Sequence, residues 1–156
     1  MVMQPTQSGE VLLVRVPFAV CALPVSEVIE TMRPLPISPL SNVPDFIYGI
    51  AVIRGIPTPV IDLGALFQAE ERTLSRRFVT VRCGGRAVAL AVQSVIGVAG
   101  LDSLNFTNMP SLLKTARTDV IEAIGSLDAE LLVMLQTTTL VPESVWRSIG
   151  LREAAR

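Results

Sequence analysis

Short runs of branched aliphatic residues, each closed by Pro, Gly or a polar pair, recur along the chain from Val11 to Leu135. Runs of this kind bounded by turn residues predict strands. Val11–Val16 (VLLVRV) and Phe18–Val25 (FAVCALPV) are the first two, around a turn that Pro17 begins. Ser26–Met32 fits either one helical turn or a third strand, and its β-branched Val28 and Ile29 favour the strand. Four prolines from Pro34 to Pro44 make the next stretch a loop. Asp45–Ile53 and Ile56–Leu63 then flank Arg54-Gly55. Pro57 and Pro59 strip donors from one side of the second run, which is tolerable only at a sheet edge or strand start. Asp62 is placed to cap a short helix through Phe67, and the polar Gln68–Ser75 reads as a loop.

Phe78–Arg82 and Arg86–Val92 surround Cys83-Gly84-Gly85. The Gly84-Gly85 pair is expected to supply the positive φ angles of a tight hairpin. Val95–Gly100 extends the β pattern, whereas polar Leu101–Thr118 reads as loop. Val120–Leu127 and Glu130–Leu135 form a second hairpin around Asp128-Ala129. A terminal helix is expected over Pro142–Ile149, with Pro142 in its first turn and Gly150 ending it. About ten short strands with little helix predict an all-β sandwich or barrel. The expected organisation is a flexible segment 1–10, a single domain over 11–150 and a flexible tail 151–156.

Composition narrows the chemistry more than the fold. The 156 residues are 50% apolar and 17% charged, with a net charge of −1, so a core can be buried and wholesale disorder is excluded. That balance argues against nucleic acid, which needs clustered positive charge. Histidine is absent. No Ser–His or Cys–His nucleophile can form within the chain, and a zinc site would have to rest on two cysteines and carboxylates. Cys21 and Cys83, 62 positions apart in apolar runs, read as buried reduced thiols, which suits a cytoplasmic protein. No GxGxxG or GxxxxGK is present. Glu27, Glu30, Asp62, Glu122 and Glu130 are the carboxylates from which paired acid–base chemistry would have to come, and strand edges and caps usually leave such groups solvated. The expectation is no enzyme, no cofactor and no metal. The N-terminus lacks a signal-peptide pattern, and the longest mostly apolar stretch, Ala87–Leu101, is shorter than the roughly 20 residues of a membrane helix.

Binding leaves different traces. Arg54, between an apolar strand and Gly55, presents its guanidinium fork either to solvent, to its own barrel or to a partner. Gly49 inside an apolar run marks a bulge or a close backbone approach. The run Val43-Pro44-Asp45-Phe46-Ile47-Tyr48-Gly49-Ile50-Ala51-Val52-Ile53-Arg54-Gly55, followed by Pro59-Val60-Ile61-Asp62-Leu63, resembles the signature of CheW-like domains. There "P-x-F-(I/V)-x-G-x-x-N-L-R-G" runs into "P-(V/I)-(I/V)-D-L". Ala22-Leu23-Pro24-Val25 with Val28 and Glu30, and Gly85-Arg86 through Val92, extend the likeness, which covers Val11 to Leu135.

The resemblance implies two packed SH3-like five-stranded β-barrels with short helices, one of them C-terminal. It implies a non-enzymatic adaptor that couples the cytoplasmic tip of chemoreceptors to the regulatory domain of the histidine kinase CheA, cytoplasmic and recruited to membrane-associated arrays without inserting into the membrane. It places Val28, Glu30, Gly49, Arg54 and Phe78 at the receptor groove, while Gly55, Asp62, Gly84 and Gly85 are read as structural. The chain departs from the pattern at Val52 and Ile53 (Asn and Leu in the signature), Gln93, Cys21, Pro142 and Trp146. A β-barrel that binds a peptide or ligand outside chemotaxis is the competing expectation.

Overall fold

The computed structural model describes residues 9–66, 75–107 and 120–148. The expectations for the chain ends, for Phe67, for the loop after it and for the helix end at Ile149 and Gly150 fall outside these residues. β1 (Glu10–Val16) and β2 (Ala19–Pro24) form the first hairpin, and a 3₁₀ turn at Val25–Glu27 leads into β3 (Val28–Met32). Both readings of the Ser26–Met32 stretch therefore apply, to successive parts of it. β4 (Ile47–Ile53), β5 (Ile56–Asp62) and α1 (Leu63–Leu66) follow. β6 (Arg77–Cys83), β7 (Arg86–Val92) and β8 (Ser94–Gly100) come next, then β9 (Asn105–Thr107), β10 (Ile121–Leu127), β11 (Glu130–Leu135) and α2 (Glu143–Ser148).

The strands make a six-stranded sheet, ordered β8-β1-β2-β11-β10-β9, and a five-stranded one, ordered β3-β6-β7-β5-β4. The fold is all-β with two packed barrels, as expected, but one barrel has six strands. The extra one is β9, in a stretch whose polar composition reads as loop. Gly125 lets it in: a Cβ there would lie within bonding range of Asn105 O, so only a glycine permits β9 and β10 to approach this closely.

Strand alternation builds three apolar layers. Val11 and Leu13 of β1 face the interior of the six-stranded barrel with Val20, Leu132 and Phe106. Phe78 of β6 and Ala89 and Ala91 of β7 face the interior of the other with Ala51 and Val60. The intervening residues, among them Leu12, Val14, Cys21, Leu23, Val79, Val81 and Leu90, meet between the sheets in one cluster that Val145 and Trp146 of α2 join. β2 and β7 are thus buried on both faces, which is why they read as unbroken apolar runs.

The prolines of β5 sit where their missing donors do least harm. β5 pairs with β7 only from Val60 onward, so Pro57 and Pro59 occupy the stretch before that ladder begins. Of the glycine pair, only Gly84 has a positive φ (66°). The hairpin needs one glycine at its first central position, as in a type II′ turn, and not two. The turn at Asp128-Ala129 instead has φ of 49° and 69°, the type I′ pattern. No helix among the described residues is long and apolar enough to cross a membrane.

Candidate functional site

The five-stranded sheet closes on itself along the seam between its edge strands β3 and β4. The chain leaving β3 runs beside β4, where Ser38 N donates to Ile50 O at 2.8 Å and Ile50 N to Ser38 O at 2.9 Å. Gly49 makes room for this approach. It has φ +150° at a register shift in β4, and a Cβ would stand 2.2 Å from Ser38 O. It is both a bulge and a close backbone contact, but the approaching backbone is the chain's own. Gly49 is buried.

A second tie crosses the seam at the β4–β5 turn. Arg54 and Gly55 have φ of 52° and 78°, a type I′ turn whose flanking residues Ile53 and Ile56 pair. From this tip Arg54 Nε donates to Glu30 Oε2 and Nη2 to Glu30 Oε1, both at 2.7 Å. The fork holds the Glu30 carboxyl below the usual carboxylate range. Glu30 is itself fixed: its N–H donates to the Thr80 hydroxyl, which donates back to Glu30 O, each at 3.2 Å, across the bulge where Ile29 is extruded. The Arg54 side chain remains 75% exposed, and its Nη1 has no partner among the described residues.

Exposed apolar residues adjoin this pair along its strands. Val52 (62% exposed) and Ile56 (56%) flank Arg54 along the hairpin, and exposed Ile29 adjoins Glu30, with Val25 a turn before it. Sequence reasoning missed all four, because an isolated aliphatic in a strand reads as core. Their position beside a two-residue turn was the available signal for Val52 and Ile56. Val98 of β8 was missed too. It lies opposite Leu12 on the inter-sheet face, yet is exposed because β8 is an edge strand.

The remaining candidates divide. Val28, partly buried, packs on the inter-sheet core next to Glu30. Phe78 departs from the expectation: it is fully buried inside the five-stranded barrel, paired with Met32 and Ala91 and packed with Ala51, Val60 and Ala89. Asp62 is buried, and its Oδ1 accepts the Gly64 N–H at 2.9 Å, capping α1 as expected. Asp62→Ala should lower unfolding free energy by roughly 0.5–2 kcal/mol in urea melts, with Asp62→Asn recovering much of it.

Cys21 and Cys83 are free and buried; burial pushes the Cys21 thiol up to about 12 and raises Cys83, so neither is a poised nucleophile. A shallow cleft of about 430 Å³ lies between the Gly84-Gly85 turn and α2. Its arginine is committed, since Arg86 donates to both Glu143 oxygens at 3.2 and 3.1 Å and lies 4.6 Å from the Trp146 ring centroid. This cleft is the seam that fastens α2 to the five-stranded sheet. No cluster of three or more His, Cys, Asp or Glu side chains suited to a metal occurs among the described residues.

With the signature turn placed on this geometry, residues 10–144 match the family model of the CheW-like domain. The chain belongs to the CheW-like family. A chemotaxis protein CheW from Klebsiella aerogenes is 27% identical over 104 residues, covering 65% of this chain. The match spans only 63% of that curated relative. The crystal structure of the scaffolding protein TtCheW from Thermoanaerobacter tengcongensis superposes with a TM-score of 0.73 at 24% identity, covering 89% of this chain and 96% of that one. The likeness to that structure establishes the CheW fold of two packed barrels.

Proposed function

We propose that this protein is a non-enzymatic adaptor that couples chemoreceptors to the histidine kinase CheA, binding the cytoplasmic receptor tip and the kinase's regulatory domain at membrane-associated arrays. The observation that carries the reading is the joint between signature and surface. In a chain matching the CheW-like domain over residues 10–144, the signature arginine stands exposed at a turn tip, buttressed by Glu30, with exposed Val52 and Ile56 on its hairpin and exposed Ile29 next to Glu30. A charged anchor amid exposed aliphatics has the composition of an interaction surface, and helical receptor tips offer apolar side chains with carbonyl or carboxylate groups between them.

Arg54→Ala is expected to weaken binding of a receptor cytoplasmic fragment about 10- to 30-fold in calorimetry, as for an interface hot spot, with little change in melting temperature. The thermal part follows because an exposed, screened ion pair contributes little to folding. Arg54→Lys should rescue partly. The swap Glu30→Arg with Arg54→Glu rebuilds the internal bridge with its polarity reversed. It should not restore binding if the partner reads the outward guanidinium. Recovery of wild-type affinity in the swap would show that the pair acts only as a brace, and wild-type affinity of Arg54→Ala would remove the site from the interface.

A further inference from the structure

Of the described arginines, Arg82 donates to Ser26 O at 3.0 Å and Arg147 stands near Glu143 on α2, and the other six fall into two groups. Arg15, Arg54 and Arg86 each grip a glutamate: Glu130, Glu30 and Glu143. Arg33, Arg76 and Arg77 are exposed, and none has an acidic partner among the described residues. These three are gathered by the topology. β3 and β6 run antiparallel with Thr31 opposite Val79 and Met32 opposite Phe78, so Arg33 and Arg77 lie one residue beyond the last pair of the ladder. Arg76 precedes Arg77 and is held by its N–H to Val92 O at 3.1 Å, where the chain passes from β7 to β8. Like charges brought together at the end of a strand pair are destabilising, and two of the described carboxylates at this end are engaged elsewhere. Asp62 is buried capping α1, and Glu130 holds Arg15.

We infer that this end of the five-stranded sheet, read by Arg33, Arg76 and Arg77, is a docking surface for a carboxylate-rich segment of a protein partner. The unbalanced charge supplies the attraction, and guanidinium forks suit carboxylates. Three arginines on a chain of net charge −1 are too few for a nucleic-acid backbone. The inference deepens the adaptor reading by assigning the sign of the partner's charge, and it has a test that does not depend on that reading.

Fluorescein-labelled hexaglutamate, vesicles containing phosphatidylglycerol, and immobilised receptor fragment and kinase regulatory domain are titrated with wild type, Arg77→Glu and Arg54→Ala at 20 and 200 mM NaCl. Arg77→Glu places a carboxylate near Arg33, so its melting temperature should equal or exceed wild type and a folding defect cannot explain lost binding. Wild type should bind the peptide at 20 mM NaCl, and Arg77→Glu at least five-fold less, with a flatter salt dependence. At least one of the two proteins should show the same loss. Equal peptide binding by wild type and Arg77→Glu overturns the inference. Binding to vesicles but not to peptide also overturns it, in favour of a lipid phosphate. If Arg77→Glu binds both partners like wild type while Arg54→Ala does not, the adaptor reading stands and this inference falls. If wild type binds neither partner, the adaptor reading falls and the peptide titration alone decides.

Discussion

Phe78→Ala should lower the free energy of unfolding by about 3–5 kcal/mol, enough to threaten the fold of a domain this size. Phe78 is 0% exposed, and its neighbours inside the barrel include Ala51, Ala89 and Ala91. Those alanines cannot swing into the space, but Met32 and Ile37, packed on the same cluster, can close part of it, so the loss falls within that range rather than at its top. Urea unfolding with a fixed m-value measures it. Phe78→Leu, which keeps most of the volume, should cost much less. A stable Phe78→Ala variant that had lost only its partner would return Phe78 to the interface and undo the barrel assignment.

Gly49→Ala should be nearly as damaging, by about 3 kcal/mol or more, although it adds a single methyl. The Cβ would lie 2.2 Å from Ser38 O, a backbone atom already exchanging hydrogen bonds with Ile50, so the obstacle cannot rotate away. Overpacking of this kind costs about 1–3 kcal/mol, and the φ of +150° adds a comparable conformational strain. Gly55→Ala is the control. Its φ of +78° is also unfavourable, but a Cβ there meets nothing within 4 Å, so only the roughly 1–2 kcal/mol of left-handed strain should appear. Equal losses at both positions would mean that backbone conformation, not the Ser38 approach, explains Gly49.

These two residues also show what the sequence could and could not reveal. Turns written by neighbours were readable: Arg54-Gly55, the Gly84 hairpin, Asp128-Ala129 and the Asp62 cap all depend on residues within a few positions. The short apolar runs of β1, β2, β6 and β7 announced strands, and the signature run carried the family. What escaped depends on residues far apart in the chain. Nothing near Gly49 says that Ser38 will come to it, and nothing near Phe78 tells that its face of β6, shared with Thr80, is buried as fully as the face of Val79 and Val81. The Glu30 partner of Arg54 is 24 positions away. β9 is invisible because three polar residues become a strand only through the room left by Gly125.

The order of the strands along the chain has a consequence for how the molecule comes into being. β2 lies beside β11, in parallel, with Val20 next to Leu132. Everything from β3 to β7, the entire five-stranded sheet, is made between the two halves of the other. On a ribosome the second barrel can therefore be complete while the hairpin of β1 and β2, buried on nearly every side chain in the finished protein, waits without its lateral neighbour. Pairings this distant close slowly, and an apolar hairpin left open is the part most exposed to wrong association. The finished barrel is the natural shelter: Leu12, Val14, Cys21 and Leu23 can settle on Val79, Val81 and Leu90 before β11 exists. The contact between the barrels then serves assembly first, as the surface on which the earlier half of the chain is kept until the later half arrives.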